Sequence, residues 1–111
     1  MTIDIEEFGR IDIRAGTVTR AEFHEKARRP ALRLWIDFGP GIRPLSSSAQ
    51  ITERYRPEDL VGRQVMAVVN LPPRRVAGFE SQALVLGFPD ATGAIALAVP
   101  DAAVPDGARL A

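Results

Sequence analysis

The chain has 111 residues, 46% hydrophobic and 25% charged, which suits one globular domain with one core. It has no cysteine, which excludes disulfides, thiolate catalysis and Cys-based zinc sites. Net charge is zero but segregated: residues 1–25 carry three basic and six acidic side chains, residues 26–75 ten and four, and residues 76–111 one and four. A basic middle between acidic ends points to a polyanion partner, or to acidic ends that cover something. Thirteen of the fourteen basic residues are arginine, the side chain suited to planar phosphate contacts. No apolar run is long enough to cross a membrane, and the acidic N-terminus lacks a basic-then-apolar leader. A cytoplasmic protein without membrane insertion is expected.

Residues 2–8 read as a short helix, with Thr2 as a candidate N-cap, acidic residues in its first turn and Gly9 as its stop. Its Ile5 and Phe8 need a surface to cover them, on this chain or a second copy. Residues 10–23 read as a long strand. Ile11, Ile13 and Ala15 share a face, and the phase slips after Gly16, which predicts a bulge there. A long first strand bent midway suits a small closed barrel. His24 to Pro30 is a polar connection in which His24 is expected to be solvated.

Leu32, Leu34, Ile36 and Phe38 alternate with Arg33, Trp35 and Asp37, the pattern of a half-buried strand with Arg33 and Trp35 outward. Gly39-Pro40-Gly41 is a turn. Ile42–Ile51 reads as a third, irregular strand, and Thr52–Leu60 as a helical turn. Gln64–Asn70 and Ser81–Gly87 read as buried strands around a loop, Leu71–Glu80. Pro72 and Pro73 stiffen that loop and bar it from helix or central strand. It presents Arg74 and Arg75 side by side, a device for binding an anion at small entropic cost. Ile95, Leu97 and Val99 alternate again, and a turn at Val104–Gly107 leads to Ala108–Leu110.

The order is all-β, with five or six strands, one helical turn between the third and fourth, and a short N-terminal helix. A five-stranded OB-type barrel fits it, and an SH3-like barrel or small sandwich fits the strand count nearly as well. No catalytic constellation is found. His24 is the sole histidine and has no nucleophile elbow near any serine. Asp37-Phe38-Gly39 matches the kinase metal-binding tripeptide, but no Gly-rich or catalytic loop accompanies it. The carboxylates lack metal-site spacing, and no phosphate-binding or dinucleotide fingerprint occurs. No enzyme activity, cofactor or metal is expected.

Three stretches carry a family resemblance: Asp12-Ile13-Arg14-Ala15-Gly16, Leu45 to Thr52, and Val69 to Ser81. Together they resemble the tRNA-binding OB domain appended to methionyl-tRNA synthetases and found in stand-alone relatives. The double proline with double arginine, and Asp37-Phe38-Gly39, narrow the likeness to the CsaA-type export chaperones. The likeness runs from Phe8 to Leu110. It implies an OB-fold, a homodimer, a surface for tRNA or other structured RNA, and a chaperone role toward unfolded or export-destined polypeptides. It also implies residues 1–9 as a helical extension and residues 10–111 as the tRNA-binding domain. Carried over by motif, the RNA-facing residues are Ser47, Gln50, Asn70, Arg74, Arg75 and Ser81. Separately, an exposed aromatic, Phe79 or Trp35, is expected to stack a base. Many relatives are lysine-rich where this chain has Pro73 and Arg75. The loop stays cationic, and a pure peptide-binding secretion chaperone remains the alternative.

Overall fold

The computed structural model describes residues 1–111. In chain order it has α1 (Ile5–Gly9), β1 (Ile13–Phe23), β2 (Leu32–Asp37), β3 (Leu45–Ala49), α2 (Pro57–Leu60), β4 (Gln64–Val68), β5 (Arg74–Val76), β6 (Phe79–Ser81), β7 (Leu84–Val85), β8 (Gly87–Pro89) and β9 (Ile95–Leu97).

Alternation builds the sheet. In β2, Leu32, Leu34 and Ile36 are fully buried while Arg33, Trp35 and Asp37 stay half exposed on the other face. Five strands pair antiparallel in the order β3-β2-β1-β4-β7. The sheet then meets itself. The amides of Gln82 and Ala83 donate to the Ser46 carbonyl at 2.8 and 3.0 Å, joining the approach to β7 onto β3. The result is the all-β, five-stranded OB-type barrel expected from the strand order, with α2 between its third and fourth strands. Its interior is a cluster of twelve buried residues, led by Phe38, Leu32, Leu34, Ile36 and Leu60.

The bend in β1 falls later than the sequence suggested. The register slips between Val18 and Arg20, so the bulge is at Thr19. There the Val18 amide donates to the Arg63 carbonyl and the Gly62 amide to the Val18 carbonyl, at 2.9 and 2.8 Å. Gly16 has a different purpose. A Cβ at that position would lie 2.7 Å from Ile36 Cγ2 and from the Phe38 ring, so the bare backbone makes room for the core.

Other expectations shift locally. Asp4, not Thr2, caps α1: its Oδ1 accepts the Glu7 amide at 2.8 Å, and Glu7 Oε1 accepts the Asp4 amide at 3.3 Å, a reciprocal capping box. The first strand starts at Ile13, leaving Ile11 exposed. Leu71–Glu80 is not loop throughout, because the prolines precede a two-stranded hairpin, β5–β6. Its two-residue turn puts Ala77 at φ 47° and Gly78 at φ 82°, the left-handed pair that a tight hairpin turn requires. The segment after it is not a buried strand: it breaks into β7 and β8, and Leu84 is half exposed. His24 is buried rather than solvated. Its amide donates to the Ala31 carbonyl at 2.9 Å, which folds the β1–β2 connection back over the ring.

The chain ends are tied together. Leu110 donates to Ile13 at 2.9 Å, Arg109 Nη2 donates to the Gly9 carbonyl at 2.7 Å, and Asp12 pairs with both Arg14 and Arg109. The Arg14 hydrogen bond, with the positive charges of Arg14 and Arg109, holds the Asp12 carboxyl below the usual carboxylate range.

Candidate nucleic-acid interface

Two separate segments put arginines around one cavity. The β1–β2 connection supplies Arg28 and Arg29, and the β5–β6 hairpin supplies Arg74 and Arg75. The cavity between them is about 570 Å³, with Ser48, Gln50 and Ser81 at its polar wall and Leu71, Pro72 and Leu84 at its apolar wall. None of its sixteen lining residues is acidic. None of the four arginines is in an ion pair, although Glu80 stands directly across the hairpin from Arg75. By contrast, Arg14, Arg20, Arg33, Arg54, Arg56 and Arg109 are each paired with a carboxylate. The four cavity cations are thus free of any carboxylate partner and available to a ligand.

The expected site residues divide between this cavity and the framework behind it. Arg74, Arg75, Gln50 and Ser81 line the cavity. Ser81 also works internally, its Oγ accepting the Ser48 amide at 2.9 Å and fixing β6 to β3. Ser47 does not reach the cavity. Strand alternation turns Leu45, Ser47 and Ala49 inward, Ser47 is 1% exposed, and Ser46 and Ser48 take the outer face. Asn70 is committed to the backbone: Oδ1 accepts the Asp12 amide at 3.0 Å and Nδ2 donates to the Arg10 carbonyl at 2.8 Å.

Phe79 is half-buried, with its ring packed against other parts of the chain. Its ring centroid lies 5.6 Å from that of Trp35 and 5.6 Å from that of His24, edge-to-face in both cases. The Arg33 guanidinium approaches the same ring at 5.6 Å, and Arg20 covers Trp35 at 4.4 Å. Arg33 and Arg20 are in turn bound by Glu22. This outer strip is therefore electrostatically closed, while the cavity is not. His24 Nδ1 lies 3.3 Å from Ser48 Oγ, which gives the buried imidazole a polar partner.

Arg28 and Arg29 are not singled out by the sequence, where they sit in a polar connection without a motif of its own. The available signal is the basic surplus of residues 26–75, which holds both arginine pairs without showing that they converge. Chemically, four unpaired guanidiniums around a concave floor can take several phosphate oxygens at once, each by a charge-assisted hydrogen bond. No cluster of three or more His, Cys, Asp or Glu side chains is placed to hold a metal ion. No helix is long and apolar enough to cross a membrane.

Known proteins share this architecture. The family model described as "Putative tRNA binding domain" matches residues 13–109. Methionine–tRNA ligase of Porphyromonas gingivalis is 42% identical over 108 residues, which is 97% of this chain and 15% of that protein. The chain thus spans about 15% of the length of that relative. Among solved structures, chaperone CsaA from Bacillus anthracis superposes with a TM-score of 0.92 at 51% identity, covering 100% of both chains. The CsaA chaperone protein from Picrophilus torridus gives 0.91 at 39% identity, covering 99% of this chain and 100% of that one. The MetRS-related protein of Pyrococcus horikoshii gives 0.88 at 29% identity, covering 99% and 98%. With the motifs, the barrel and the match over residues 13–109 in agreement, the chain belongs to the tRNA-binding domain family.

Proposed function

We propose that this chain is a non-enzymatic RNA-binding protein of the CsaA type, acting as a homodimeric chaperone in protein export in the cytoplasm. Residues 10–111 are the RNA-binding domain and residues 1–9 an extension used in self-association. tRNA or another structured RNA lies against the arginine-lined cavity. One observation carries the reading: four arginines from two separate segments meet around one concavity that has no carboxylate in its wall. Each phosphate neutralised there releases counterions, and this supplies sequence-independent affinity. RNA is then selected by shape and backbone rather than by base edges.

Self-association is supported by the N-terminal segment. No residue of α1 is buried, and Ile3 and Ile5 are 54% and 79% exposed. A five-residue helix does not hold its shape in water by itself, so its apolar side favours a second copy as cover. The alternative is a secretion chaperone that binds polypeptide and makes no physiological use of tRNA. It is favoured by Leu71 and Leu84, which add exposed apolar wall to the same cavity.

The test is crosslinking in cells, followed by purification under denaturing conditions. RNA attached to peptides containing Arg28–Arg29 or Arg74–Arg75 supports the first reading. Polypeptide without RNA at those peptides selects the alternative.

A further inference from the structure

We infer that Phe79 and His24 are positioning residues, and that their ring–ring contact sets the distance between the two arginine pairs of the cavity. This rests on the cavity being the RNA site, and it goes further in saying what gives the site its span.

The two arginine pairs have no direct link to each other. Arg74 and Arg75 ride on a three-residue strand closed by a strained turn, with Ala77 in the left-handed region. Arg28 and Arg29 ride on a connection with no regular structure. Two such segments hold a fixed separation when something rigid joins them. Phe79 lies on the hairpin, opposite Val76 and five residues from Arg74. His24 opens the other connection, and the Ala27 amide donates to its carbonyl at 3.2 Å just ahead of Arg28. The two rings meet edge-to-face at 5.6 Å.

Each ring is also fixed to the barrel. Phe79 packs on Trp35 of β2, and His24 is 4% exposed with Nδ1 3.3 Å from Ser48 Oγ of β3. Ser48 in turn donates its amide to Ser81 on the hairpin at 2.9 Å. The ring pair is therefore braced from both sides; neither ring is part of the arginine-lined cavity's wall, and both border a separate concavity with Glu22 and Glu25 in its wall. Base stacking differs in needing a ring face open to a ligand, which shows as a preference among single-stranded homopolymers.

The experiment measures tRNA affinity across a salt series for the full chain, Phe79→Leu, Phe79→Tyr, His24→Gln and Arg74→Ala/Arg75→Ala, each checked for its fold by circular dichroism. Fewer phosphates are held at once when the pairs lose their spacing. Phe79→Leu and His24→Gln are therefore expected to make the slope of log K against log salt shallower by roughly 1–2, at about 0.7–0.9 for each phosphate no longer neutralised. Phe79→Tyr keeps the ring edge and is expected to keep the slope. A loss of stability alone, with the folded population still binding, leaves the slope unmoved. If Phe79→Leu does not fold, His24→Gln decides.

Unchanged slopes in both Phe79→Leu and His24→Gln overturn the inference, as does a change in Phe79→Leu alone. An unchanged slope with altered preference among single-stranded homopolymers overturns it too, because Phe79 would then be stacking a base. If Arg74→Ala/Arg75→Ala also binds as the parent does, the cavity is not the RNA site and the proposed function fails with it. If that variant is weakened while the ring variants are not, the positioning role alone fails.

Discussion

Asn70 accepts a hydrogen bond from the backbone amide of Asp12 at 3.0 Å, across 58 positions of sequence. Its amide nitrogen donates to the Arg10 carbonyl at 2.8 Å, so one side chain closes the gap between the end of β4 and the start of β1. Family resemblance marks this asparagine as a ligand contact, whereas its geometry is that of a fastener. Asn70→Ala is expected to destabilise the protein by about 1–3 kcal/mol, the net worth of two hydrogen bonds exchanged for water. Urea unfolding checks this. The salt dependence of RNA binding by the folded variant is expected to match the parent.

A second prediction concerns the first strand. Gly16→Ala places a methyl group 2.7 Å from Ile36 Cγ2 and the Phe38 ring, both in the core. Side chains packed to that density do not yield freely, and overpacking of this kind costs about 1–3 kcal/mol. Thermal unfolding is expected to show it as a lowered Tm. Gly9→Ala meets nothing within 4 Å and serves as the control.

Titration of Asp90 gives a third. Its Oδ1 accepts the Thr92 hydroxyl at 2.7 Å, the Thr92 amide at 2.8 Å and the Ala94 amide at 3.1 Å, and Arg54 lies 2.8 Å from Oδ2. The Thr92 bonds come first among the causes that lower this carboxyl from 3.8 to about 2. A carboxyl whose folded value is depressed stabilises the fold fully above its unfolded value and loses that contribution as pH falls through the folded one. The parent is therefore expected to be more stable than Asp90→Asn at pH 7. The difference in Tm should shrink between pH 4 and pH 2. A difference that stays constant over that range would remove the charge from the account.

The fold was largely legible because its signals are local. Leu32, Leu34 and Ile36 alternate with Arg33, Trp35 and Asp37, and that alternation alone fixes which face of β2 is inside. The cationic tip was legible for the same reason, since Arg74 and Arg75 are adjacent and follow two prolines. What failed was long-range or without contrast. Three consecutive serines at positions 46–48 carry no polarity difference, so nothing local says that Ser47 is the one turned inward. His24 looks solvated until the backbone bond to Ala31 folds its connection over. Arg28 and Arg29 join the site because that connection meets a hairpin more than forty residues later, a proximity that only tertiary closure creates.

The central claim is that the four cavity arginines hold an RNA backbone by charge. The direct measurement is tRNA affinity from low to high salt for the parent and for Arg28→Ala/Arg29→Ala/Arg74→Ala/Arg75→Ala. The parent is expected to lose affinity steeply, and the variant to show a slope shallower by about 3–4, one phosphate for each arginine removed. A variant that keeps the parent's slope and affinity would contradict the account.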